Sequence, residues 1–162
     1  MSNEKILISI ARCEDADLLR VWITNARAKN EPEVADAAFR QLASLVPEEQ
    51  PDTVEHDFWQ AINALEASLW EERGKKTRLT RTRQKISRVG VVETMAELAT
   101  RTKPGEGFDM LVERGMPELT AEAVILRHPD KFDKTVQTAA RVRLEKAGVD
   151  LDLLAEPLDA GV

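Results

Sequence analysis

The stretch from residue 52 to 72 constrains the fold most. Val54, Phe58, Ala61, Ile62, Leu65 and Leu69 recur at intervals of three and four residues, which puts them on one face of an α-helix and on both faces of a strand. Asp52 precedes this stripe and Glu55 follows it by three positions. That is a capping-box pattern, able to satisfy the free N–H groups of a first helical turn. A long helix over about 52–72 is therefore expected, with its apolar side committed to a core. Trp59 and Trp70, eleven residues apart, share a neighbouring face. Two such aromatics are either ordinary core residues or a surface covered by a second subunit.

Helical patterns recur along the rest of the chain. Leu7, Ala11, Leu18 and Trp22 fit one helix over 4–28 with a possible break at Cys13–Asp15; a short strand at 5–10 is the alternative. Asn30, Pro32 and Glu33 form a start signal for a second helix carrying Val34, Ala38, Leu42 and Leu45 up to Pro47. The first two helices should pack as a helical hairpin. Thr94 and Glu97 form another capping box, opening a helix to about Arg101. A turn at 103–107 leads to a short helix over 107–114, with Phe108, Leu111 and Val112 inward and Gly115 closing it. Ala121–Arg127 is nearly all apolar and stops at Pro129, and Asp133 caps a last helix that runs to Ala147 and closes at Gly148.

Seven glycines, seven prolines and no tyrosine leave little material for hairpins, while helix formers dominate. The expected fold is all-α: a single compact multi-helix bundle of six or seven helices around one long central helix. Residues 1–148 would form the helical domain and 149–162 an acidic tail whose leucines dock in part. A chain of 162 residues can bury roughly 70% of its unfolded surface, enough for a sizeable core.

Function is bounded mainly by charge. Residues 73–88 contain eight cations and no acid: Arg73, Lys75, Lys76, Arg78, Arg81, Arg83, Lys85 and Arg88. The whole chain has 23 basic and 29 acidic residues, so without this block 15 cations face 29 acids, a net charge of −14. Such segregation calls for a partner, inside the molecule or outside it. If the central helix breaks at Gly74 and resumes, Leu79 and Ile86 lie on one side. Arg78, Arg81, Lys85 and Arg88 then fall within about 80° on the other. An uninterrupted helix would instead extend to about residue 89.

A guanidinium-rich face suits phosphate backbones, and Thr77, Thr80, Thr82 and Ser87 add hydroxyl donors. No aromatic lies between residues 71 and 107, so base stacking has no platform and duplex backbone contact is favoured over single strands. The expected function is that of a nucleic-acid-binding accessory protein. The alternative is a homodimeric or adaptor module whose basic segment docks on an acidic protein. A solvated or internally paired face is the plainest reading.

Other classes find less material. A helix-turn-helix over 107–127 fails because its second helix is apolar where base readers need polar side chains. A basic zipper fails because the apolar stripe precedes the basic block. Cys13 is the one cysteine, which excludes an internal disulfide and a four-cysteine zinc site. His56 with Asp52 could form a helix pair, and His128 could cap a helix end. Neither supplies a catalytic constellation, and the adjacent Glu71 and Glu72 diverge on a helix. Gly105 and Gly107 lack the third glycine and the lysine of a phosphate loop. Neither enzyme activity nor a cofactor or metal is expected. The apolar run Ile6–Ile10 is too short to span a bilayer, and residues 1–5 lack the apolar core of a signal peptide, so a cytoplasmic protein without membrane association is expected.

Overall fold

The computed structural model describes residues 3–45 and 52–154, and the regular structure among these is all helical, with no strand. Nine α-helices are present among them: α1 (Glu4–Ala11), α2 (Ala16–Ala28), α3 (Pro32–Ser44), α4 (Val54–Arg73), α5 (Thr80–Val89), α6 (Val91–Thr100), α7 (Glu106–Glu113), α8 (Ala121–Arg127) and α9 (Lys134–Lys146). Short 3-10 turns occupy Pro117–Leu119, Pro129–Lys131 and Leu151–Leu154. The expected six or seven helices are thus too few.

Two breaks account for the difference. The segment 4–28 divides at Cys13–Asp15, because the Asp15 carboxylate accepts from the N–H groups of Asp17 and Leu18 and starts a new helix. Residues 5–10 are helical, not a strand. The central helix stops at Gly74, which adopts φ 72° and donates its N–H to the Trp70 carbonyl. A left-handed glycine there closes the helix, so α4 does not run on to residue 89.

Three helix starts lie away from the capping residues that the sequence suggests. Asn30 has φ 57° and closes α2, with the N–H of Glu31 reaching the Ala26 carbonyl; asparagine tolerates that conformation. Thr53, not Asp52, caps α4 by accepting from the His56 N–H at 3.2 Å. Thr94 is buried within α6 and donates to the Gly90 carbonyl, since α6 starts three residues earlier, at Val91. Pro47 lies outside the described residues.

The twenty residues of α4 serve two cores. Ala64 and Ala67, on its second half, join the cluster built from Ile10, Leu19, Ile23, Phe39 and Leu42 of α1, α2 and α3. Val54, Phe58, Ala61 and Ile62, on its first half, pack with Met95 of α6, Val124 and Ile125 of α8, and Ala140 of α9. A helix buried around most of its circumference is a central element. A third cluster joins Phe108, Ala123, Leu144 and Leu154, so the described part of the acidic end does pack on the body. No described helix is long and apolar enough to cross a membrane.

Trp22, Trp59 and Trp70 are half-buried against these cores. The Arg83 guanidinium lies 5.2 Å from the Trp59 ring centre and that of Arg20 6.0 Å from Trp70, a cation–π arrangement that covers both rings from within the chain.

Candidate nucleic-acid interface

The basic block folds into a loop, 75–79, and the helix α5. No residue of α5 is fully buried; Leu79 and Ile86 rest half-buried against the α4–α6–α8 core and hold the helix to the body. On a helix turning 100° per residue, Arg81, Gln84 and Arg88 fall within an arc of about 60° facing away from that contact.

The eight cations divide into two sets. Arg83, Lys85 and Lys76 are turned inward or sideways: Arg83 binds Glu66, Lys85 pairs with Glu97 of α6, and Lys76 reaches Asp17 of α2 at 3.3 Å. Hydrogen bonding to Glu66 holds the Arg83 guanidinium above the usual arginine range. The Lys76 hydrogen bond, followed by its charge, holds the Asp17 carboxyl below the usual carboxylate range. Arg73, Lys75, Arg78, Arg81 and Arg88 are exposed and form no ion pair among the described residues. The expected quartet is therefore split. Arg81 and Arg88 stand on the free face of α5, Arg78 precedes the helix, and Lys85 leans onto Glu97.

The start of α5 is already met by a carboxylate. Its first turn contains no acid of its own, but Glu66 of α4 accepts the Leu79 N–H there at 2.8 Å. That carboxylate faces the positive end of the helix dipole, so the positive charge left for an external anion at this end is that of Arg78 and Arg81.

Two polar clusters lie elsewhere, and the sequence gives no local sign of either. On α4, the Oδ2 of Asp57 lies 2.7 Å from Nε2 of His128 and 3.7 Å from Nε of Arg127, while Nδ1 of His56 is 3.6 Å from Oδ1. The Arg127 guanidinium is nearly buried, and desolvation pulls its pKa down. His56 thus pairs with the residue after it rather than with Asp52, which is exposed. The second cluster is Glu122–Arg143. Nη1 of Arg143 donates to Glu122 Oε1 at 3.0 Å and to the Leu98 carbonyl at 2.9 Å, and Nη2 donates to the Arg101 carbonyl. Arg143 thereby satisfies the free carbonyls that end α6. Burial raises the Glu122 pKa, and the Arg143 hydrogen bond opposes it.

Among the described residues no group of three His, Cys, Asp or Glu side chains could hold a metal ion. In α8, Ala123, Val124 and Ile125 are fully buried, so this helix is a wall of the core and presents no base-reading face. No protein-family model matches the chain, and neither a curated protein nor a solved structure matches it.

Proposed function

We propose that the protein binds a polyanion, duplex nucleic acid in the first instance, through Arg73, Lys75, Arg78, Arg81 and Arg88. The observation that supports this is their exposure without acidic partners among the described residues, on a segment whose remaining cations tie it to the body. A tethered, cation-rich face binds phosphates without ordering a flexible arm first. The buried α8 favours backbone contact over base reading.

The test is fluorescence anisotropy with a mixed-sequence DNA duplex at several salt concentrations. Three to five phosphate contacts would give a slope of roughly −3 to −4.5 in log affinity against log salt. Changing Arg81 and Arg88 to Gln should make the slope shallower by about 1.8. Lys85→Gln should change it less, because Lys85 already spends its charge on Glu97. Absence of binding by the wild type at low salt would overturn the reading.

A second reading, an interaction module or homodimer, is favoured by exposed apolar side chains. Ile6 and Ile8 of α1 and Leu18 and Val21 of α2 are all more than 40% exposed. Sedimentation equilibrium distinguishes it, since an apolar dimer is nearly indifferent to salt.

A further inference from the structure

A half-open cavity of about 250 Å³ lies between α4, α6, α7 and α8 and the start of α5. Four helices and the loop before α5 each send apolar side chains to it, among them Leu65, Leu79, Leu98, Met110 and Ala121. All five are only half-buried. Side chains of this kind normally complete their burial against one another, so their convergence on an open space leaves apolar surface for a ligand to cover.

The polar groups of the lining are unevenly engaged. The Thr120 hydroxyl donates to Pro117 O and accepts from Ala123 N, and Glu122 is held by Arg143. Arg101 and Glu106 form no ion pair among the described residues, and both are exposed. Glu106 opens α7, whose start has no side-chain cap. The N–H groups of Glu106 and Gly107 meet no acceptor among the described residues, whereas those of Phe108 and Asp109 bond to Gly105 O. Residues 105–107 line the cavity. Two free N–H groups at the positive end of α7 and the Arg101 guanidinium thus outweigh one carboxylate, itself stabilised by the same helix end.

We infer that this cavity is a binding site for a small apolar carboxylate. The carboxylate lies toward Arg101 and the free N–H groups of residues 106 and 107, and the hydrocarbon body lies among Leu65, Leu79 and Leu98. A cavity of about 150 Å³ accommodates benzene, and by that scale this one takes an unbranched chain of about eight carbons or two fused rings. Arg143 preorganises the wall by fixing the carbonyls of Leu98 and Arg101. The site is independent of the polyanion reading and stands or falls separately.

The test is isothermal titration calorimetry of the full chain with octanoate, 1-octanol and octyltrimethylammonium below their micellar concentrations. Octanoate should bind at one site per chain, more tightly than octanol and much more tightly than the cation. Arg101→Gln should weaken octanoate by about three- to tenfold and octanol by less than about twofold. Among the described residues the side chain of the exposed Arg101 makes no hydrogen bond or ion pair, and its backbone carbonyl alone meets Arg143. Ala121→Phe fills the cavity from α8 and Thr82→Phe from α5. Each should abolish octanoate binding while keeping a cooperative thermal melt, and the second serves if the first fails to fold. No saturable binding of octanoate would overturn the site, as would binding that survives in a folded filled variant. Equal weakening of octanoate and octanol by Arg101→Gln would overturn the carboxylate assignment.

Discussion

Arg83 and Glu66 are joined at two points: Nε donates to Oε2 at 2.8 Å and Nη2 to Oε1 at 2.6 Å. The same carboxylate accepts from the Leu79 N–H at 2.8 Å, so one acid of α4 fixes both the start and the first turn of α5. The guanidinium also lies over the Trp59 ring, 5.2 Å from its centre. This planar, two-pronged pairing is a geometry that a lysine cannot reproduce. Glu66 thus anchors the start of the most basic helix among the described residues, and Glu97 holds it further along through Lys85.

Glu66→Gln should loosen α5 before anything else. Loss of a charge-assisted, partly buried pair and one N–H acceptor should destabilise the fold by about 1–3 kcal/mol. Hydrogen exchange should show lost protection across residues 80–89 with the α2–α3 pair unaffected. Unchanged protection of α5 would mean that Leu79, Ile86 and the Lys85–Glu97 pair hold it without Glu66.

Asp57 occupies a more costly position. Its Oδ2 lies 3.7 Å from Nε of Arg127, whose Nε and Nη2 are buried and have no hydrogen-bond partner among the described residues. Removing one partner of a buried pair leaves the other charge uncompensated, typically at 3–5 kcal/mol. Asp57→Asn should therefore cost about 3 kcal/mol in urea unfolding. Asp130→Asn, at an exposed turn position, should cost less than about 0.5 kcal/mol. Equal midpoints for the two variants would exclude this role for Asp57.

Some of these features could be read from residues 52–89 and others could not. The stripe Val54–Leu69 fixes α4 because its spacing admits one geometry. At Gly74 the sequence left a break and a continuation both open; the residue takes positive φ, which costs glycine little, and the helix breaks. The caps were displaced where several neighbouring residues could serve, as at Asn30–Glu31 and Asp52–Thr53. The pairings that divide the basic block link residues 12 to 59 positions apart, such as Lys85 to Glu97 and Lys76 to Asp17. Side-chain spacing within one helix carries no information about them. The same holds for the cavity, which forms only when α4, α6, α7 and α8 come together.

Glu122 gives a pH dependence whose sign follows from burial. Its folded pKa is raised above the ordinary carboxylate value, so between the two the folded state holds more proton than the unfolded one. Its favourable contribution is complete below the ordinary value and is lost as pH rises through the raised one. Glu122→Gln cannot titrate. Its stability should therefore improve relative to the wild type as pH rises from about 4.5 toward neutrality, on top of a constant offset from the altered Arg143 pair. Urea unfolding of both proteins at a series of pH values reads this directly. A difference that stays flat across that range would show that Arg143 fully offsets the desolvation of Glu122.

Gly107 sets two opposing effects against each other. A Cβ at this position would stand 2.3 Å from Cδ2 of Leu65, and overpacking of that kind commonly costs 1–3 kcal/mol. Alanine in place of glycine within a helix returns up to about 1 kcal/mol. The deciding factor is that the clashing atom is the tip of a half-buried side chain beside an open cavity. Leu65 can turn into that space, which reduces the clash to the low end of its range. Gly107→Ala should therefore shift stability by less than about 1 kcal/mol while Leu65 narrows the cavity and weakens octanoate. A loss near 3 kcal/mol would mean that Leu65 has no room to move, and the cavity would then be too tightly walled to admit a ligand of the proposed size.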